Sequence, residues 1–165
     1  MKTAAYWIRS LQLAPHPEGG FYREVYRCPE AISRKALPGR YTGSRAVSTS
    51  IYFLLRGGDV SRFHRLASDE IWHFHAGSPL TLHIIDPKGI YQSVSLGVEG
   101  HRRQQPQLVI KRHHWFAATV DNPREYTLMG CTVAPGFDFA DFELADRDIL
   151  VRRCPGKAAL IQRLT

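Results

Sequence analysis

Between residues 47 and 134 the chain reads as strand, turn, strand again and again, and that succession constrains the fold more than any other feature. VSTSIYFLL (47–55) is β-branched and aromatic, as a strand covered on both faces would be. VSRFHRL (60–66), EIWHFHA (70–76), LTLHIID (80–86) and IYQSVSLG (90–97) follow, separated by GGD, SD, GSP and PKG. QLVIKR (107–112), WFAATV (115–120) and YTLMGCTVA (126–134) continue the series, and DFELA (141–145) adds a short last element. So many short strands so close together imply an all-β sandwich or barrel.

The ends differ. Residues 3–11 form an amphipathic pattern with Tyr6, Trp7 and Leu11 on one side, and Pro15 and Pro17 stop that helix. PHPEGG is a turn, and FYREVYR (21–27) alternates as a strand. Residues 28–44, with Pro29, Pro38, Gly39 and Gly43, read as a long, mobile connection. The tail around ADRDILVRR and KAALIQRLT predicts one or two short helices. No second core and no low-complexity segment divides the 165 residues, so residues 1–165 are expected to form a single domain.

Composition narrows the partners. The net charge of +7 comes from scattered pairs such as Arg102–Arg103 and Arg152–Arg153, without a nucleic-acid module or interleaved aromatics. Nucleic acid is therefore not an expected partner, although some arginines suit attraction of an anionic small molecule. No apolar run is long enough for a membrane span. The first residues lack a signal-peptide pattern, which makes the cytoplasm the expected location. Three widely spaced cysteines form no CxxC pair and no disulfide framework, and Cys131 in TLMGCTV reads as a small core filler.

The chemistry gathers in GDVSRFHRLASDEIWHFHAG (58–77), which holds His64, His73 and His75 beside Asp69 and Glu70. Alternation places Glu70, Trp72 and Phe74 on one face of their strand and His73 and His75 on the other, unless a bulge intervenes. His64 and Glu70 are the candidate acid–base pair, with Tyr52 (or Tyr22) as a proton donor on the opposite face. Arg23 and Ser50 are expected near the pocket mouth. Trp72, Trp115 and Phe116 suit either an aromatic pocket lining or plain core. His64 as a hydrogen-bonded structural histidine, and Glu70 as a partner of Arg23 or Arg65, are the competing readings.

Gly58, His64, Glu70 and Gly77 fall in register with the cupin signature G-x5-H-x-H-x3-E-x6-G, with Leu66 at the second histidine position. The second cupin signature overlays Lys111, His113, Phe116 and Val120 and matches at none of them. The ordered blocks PHPEGGFYRE, STSIYFLL, SDEIWHFHAG, HWFAA and TVAPGFDFADFEL resemble the cupin-5 family over roughly residues 8–150. That resemblance implies a double-stranded β-helix, or jelly-roll barrel, often a homodimer, with a pocket inside the barrel.

Metal-binding cupins generally hold their ion with three histidines and a glutamate. Here Leu66 and Phe116 occupy two of those positions, so the resemblance implies no bound metal or other cofactor. His64, Glu70 and His75 would be the ligands of a divalent ion if one bound. The function expected is a small-molecule-binding cupin, as a metal-independent isomerase or epimerase of a carbohydrate-like, even anionic, substrate. The alternatives are a metal-dependent oxygenase or isomerase, and a ligand-binding module without turnover.

Overall fold

Thr3 starts the chain's first ordered element: its side-chain oxygen accepts the Tyr6 N–H at 3.2 Å and caps α1 (Ala4–Ser10). The structure is a computed structural model and describes residues 2–165. After α1 come β1 (Ala14–Pro15), β2 (Phe21–Arg27), β3 (Ala31–Ile32), β4 (Arg45–Ala46) and β5 (Thr49–Arg56). Next are β6 (Val60–Leu66), β7 (Asp69–Gly77), β8 (Leu80–Ile85), β9 (Tyr91–Leu96) and β10 (Gln104–Gln105). The remainder is β11 (Gln107–Ile110), β12 (Trp115–Val120), β13 (Tyr126–Ala134), β14 (Phe142–Leu144), α2 (Arg147–Arg153) and α3 (Ala158–Arg163).

The long strands build two six-stranded sheets, ordered β1-β2-β5-β13-β7-β11 and β10-β9-β8-β12-β6-β14. Every pairing in them is antiparallel except β9 with β10. Strands consecutive in sequence, β5 to β6 and β7 to β8, lie in opposite sheets. That crossing makes the jelly roll that the resemblance to the cupin-5 family implies, and it faces the two sheets toward each other.

Period-2 alternation then sorts side chains into layers. Phe53, Leu55, Trp72, Leu82, Phe116 and Met129 point between the sheets and form the main core. Leu54, between Phe53 and Leu55, points outward, where Trp7, Ile8 and Leu11 of the α1 region cover it. This is why β5 is apolar on both faces. Trp7 is held there by its indole N–H, which donates to the Tyr126 hydroxyl at 2.8 Å.

A further cluster lies on the outer face of the second sheet. Phe63, Ile85, Trp115 and Ala117 are covered by Leu150, Cys154, Ile161 and Leu164 of the C-terminal helices. Burial of each large aliphatic side chain is worth about 1.5–3 kcal/mol, enough for two helices this short to hold their place.

Residues 28–44 are anchored rather than mobile. Tyr41 is 1% exposed, packs with Leu37 and Ala67, and pairs its hydroxyl with Ser68 Oγ at 2.9 Å. The Pro and Gly content of this segment shows where the chain turns, but says nothing of a long-range aromatic anchor. Among the described residues no helix is long and apolar enough to cross a membrane.

Candidate active site

The PHPEGG turn carries the site's central residue. Gly19 and Gly20 adopt φ of +112° and +70°, and a Cβ on Gly19 would lie 2.1 Å from the Val60 carbonyl oxygen. Only glycine allows this close approach. The turn thereby docks on β6: the Arg62 N–H donates to the Glu18 carbonyl at 2.8 Å, and the Arg62 guanidinium donates to the Pro17 carbonyl. Glu18 is delivered, buried, to the inner face of the second sheet.

There its carboxyl meets three partners. Ser61 Oγ donates to Oε1 at 2.8 Å, while Oε2 lies 3.1 Å from His64 Nε2 and 3.4 Å from His16 Nδ1. His64 Nδ1 is 2.7 Å from the Arg62 carbonyl oxygen. A carbonyl can only accept, so Nδ1 carries the hydrogen, and in the neutral ring Nε2 turns its lone pair toward Glu18. His16 Nδ1 accepts the Glu18 N–H at 3.3 Å, so it too is a lone pair facing the carboxyl. Burial pushes His64 down to about 3 and His16 to about 4. It raises Glu18 well above the usual carboxylate range, and the nearby Glu70 adds to the rise. Burial disfavours charge on both members, which suits a carboxyl that donates to the imidazole and shares one proton with it.

Glu70 lines the same cavity from the opposite sheet, on β7. Burial raises it to about 7, against the opposing pull of the Trp72 indole and the Cys131 thiol. Although it favours the carboxylate electrostatically, the buried indole N–H makes no hydrogen bond of acceptable geometry. The cavity holds about 460 Å³, with Tyr22, Phe53 and Trp72 on its walls. Phe137, Phe139 and Phe142 pack edge to face on one another at its mouth, with the His16 ring stacked on Phe139. Arg27, also at the mouth, is held by Glu24 through bonds of 3.0 and 2.7 Å.

Of the residues singled out from sequence, His64, Glu70 and Trp72 converge here. Phe116 stands behind His64, ring centroids 4.0 Å apart, in the register that pairs β12 with β6. The others lie elsewhere. Thr49, Ile51 and Phe53 face the cavity, so the intervening Ser50 and Tyr52 face out. Arg23 donates to Gln12 outside the cavity. Neither it nor Arg65, which pairs with Glu143, neutralises Glu70. Trp115 belongs to the outer cluster under the C-terminal helices, because Phe116 takes the inward position. A bulge does fall at His75, between the pairs Leu128–Ala76 and Met129–Phe74, but the ring stays outside, against Tyr52.

Sequence reasoning passed over His16, Glu18, Ser61 and the Phe137–Phe142 cover. A signal existed: a histidine flanked by prolines and followed by a glutamate and two glycines is an unusual turn, and DFADFEL is too aromatic for a free loop.

The superfamily's usual three-histidine, one-glutamate metal set does not fit these residues. Leu66 and Phe116 fill two of its positions, and His75 is on the far side of its sheet from Glu70. Among the described residues no group of three or more His, Cys, Asp or Glu side chains is arranged to hold a metal ion.

Two facing antiparallel sheets around an inward-facing histidine and glutamate define a cupin. The cupin-5 model, described as "Cupin superfamily (DUF985)", matches residues 5–145, and the chain belongs to that family. It is 39% identical to the crystal structure of protein SO0799 from Shewanella oneidensis, with a TM-score of 0.90 over 100% of this chain and 98% of that one. A hypothetical protein from Leishmania major is 36% identical, with a TM-score of 0.88 over 99% of each chain. The uncharacterized protein YML079W of Saccharomyces cerevisiae is 27% identical over 143 residues, 81% of this chain and 71% of that protein. Bacillus subtilis oxalate decarboxylase, 13% identical with a TM-score of 0.55, covers 92% of this chain against 36% of its own and shares the fold alone.

Proposed function

We propose that the cavity binds a small carbonyl compound and moves a proton on the carbon beside its carbonyl, as a metal-independent isomerase or epimerase does. One observation carries this reading: two separate proton-holding units, Glu70 on one sheet and the Glu18–His64 pair on the other, line one pocket.

Their protonation states suit opposite tasks. Held near 7, Glu70 is about half carboxylate at neutral pH, where a general base works best. The Glu18–His64 pair keeps its proton and can give it up. Glu70 takes the proton of the carbon beside the carbonyl, leaving an enolate. The pair donates its proton to the enolate oxygen; Glu70 then returns its proton to the neighbouring carbon while the pair takes one back from the hydroxyl on the carbon first deprotonated, which completes the isomerisation. The Arg62 carbonyl, fixed on His64 Nδ1–H, keeps the imidazole in the tautomer this needs. The aromatic mouth excludes water that would compete for the proton.

The test is solvent exchange. Aldoses, ketoses and amino sugars are incubated with the protein in deuterium oxide and followed by proton NMR. Deuterium uptake beside the carbonyl, lost in Glu70→Gln and His64→Ala, supports the reading. Uptake that survives both substitutions, or none across the panel with any ligand bound in the cavity, overturns it.

A further inference from the structure

The cavity's charge is one-sided. Glu18, Glu24, Glu70 and Asp138 line it, and Arg27 is the one basic Lys or Arg side chain among the described lining residues. Glu24 already holds Arg27 through two bonds, and the Phe137 carbonyl takes a third. Burial disfavours the cationic form of both histidines inside, and His16 Nδ1 already accepts the Glu18 N–H. An anionic substrate, expected from the scattered arginines of the sequence, finds no free positive charge here.

Glu70 is the second observation. It is 7% exposed, and among the described residues no Lys, Arg or His pairs with it. A buried carboxyl without a counter-ion is costly, and the protein places it on a cavity wall with aromatic faces around it. Tyr22, Phe53, Trp72 and Phe139 line the same space with aromatic rings, which attract cations. Carboxyl groups and aromatic rings lining one volume are what a desolvated cation needs.

We propose that the molecule this cavity takes is a small organic cation, a compound bearing a protonated amine that sits between Glu70 and the aromatic walls. This rests on the cavity being the ligand site, and it names the charge class of that ligand; it does not depend on turnover. The amine ion-pairs with Glu70 as carboxylate, so its binding is tied to the protonation of that group. The groups that face Glu70 or share its cavity are Glu18, His16 and His64, the Cys131 thiol, and at the mouth Glu24, Arg27 and Asp138. Arg62 acts on Glu18 from β6. With Glu70 near 7, the carboxylate fraction rises from roughly one tenth at pH 6 to nine tenths at pH 8.

Three probes share one ring and differ in charge: benzylamine, benzyl alcohol and benzoate. Their binding to the intact protein is measured by ligand-observed NMR at pH 6 and 8. Benzylammonium should bind in preference to benzoate at both values, and its dissociation constant should fall about tenfold from pH 6 to 8. Glu70→Gln should remove the pH dependence while benzyl alcohol still binds, which shows that the cavity is intact. Glu70→Met serves the same comparison if Glu70→Gln fails to fold. Benzoate binding as tightly as benzylammonium, no pH dependence, or no binding by any probe overturns the proposal. Failure of deuterium exchange with benzylammonium binding retained overturns the isomerase reading alone.

Discussion

Glu18 Oε2 lies 3.1 Å from His64 Nε2, and both side chains are buried. The two residues come from different sheets' worth of chain, an N-terminal turn and the middle of β6, and their contact forms the core of the candidate site. Because burial disfavours charge on both, the pair is suited to hold a proton rather than a charge.

Removal of either partner should show in catalysis before it shows in folding. His64→Ala and Glu18→Gln are expected to lower deuterium exchange into a responsive substrate by about 10²–10⁴-fold. Near-ultraviolet circular dichroism checks that the core is unchanged, and a loss of exchange with that signal retained marks a chemical role.

The exchange rate should follow the ionisation of Glu70. Below about 7 the carboxylate fraction, and with it the rate, rises about tenfold per pH unit, and above 7 it levels off. A pH–rate profile from 5 to 9 measures this directly. A flat profile would remove Glu70 from the role of base.

The same group should leave its mark on stability. Glu70 sits near 7 in the folded protein, above the value of about 4.5 for a free glutamate. Between those values the folded state binds more protons than the unfolded one, so stability falls as pH rises. Glu70→Gln should match the parent near pH 4.5 and exceed it at pH 8 by up to about 3 kcal/mol. Paired urea unfolding at the two pH values tests the sign.

Arg45 and Asp141 form a two-bonded ion pair, 2.7 Å at each contact, with side chains only 4% and 5% exposed. Asp141→Asn leaves the buried guanidinium without its counter-charge, with the Ser44 carbonyl still accepting one bond, and should cost about 3–5 kcal/mol by denaturant unfolding. Asp141 ends the Phe139–Asp141 turn over the cavity, so probe binding should weaken as well.

Residues outside the cavity provide the contrast. Tyr52→Phe and His75→Ala alter the outer face of the first sheet, and should leave exchange and probe binding unchanged. Loss in either variant, measured beside His64→Ala, would move the functional site to the outer face.

Much of the site was legible from period 2 alone. Glu70 and Trp72 inward, His73 and His75 outward follow from alternation along β7, and the bulge at His75 left that sorting intact. The same rule fails where the phase of a strand is unknown. Tyr52 and Ser50 lost the inward positions to Ile51 and Phe53, and Trp115 lost its place to Phe116. Both faces of these strands are apolar because α1 covers one and the C-terminal helices cover another, so hydrophobicity carried no phase.

By itself the sequence determined the many-stranded jelly roll, the break in the cupin metal signature at Leu66 and Phe116, and the placing of His64 and Glu70. Tertiary structure alone decided that Glu18 enters the cavity, that His16 and Ser61 attend it, and that three phenylalanines cover the mouth. Strand alternation is a local rule, written in neighbouring residues. Which turn folds over which end of the sandwich depends on contacts between residues dozens of positions apart, and no short-range pattern encodes them. The stretch richest in histidine held half of the site, and a proline- and glycine-bracketed turn held the other half.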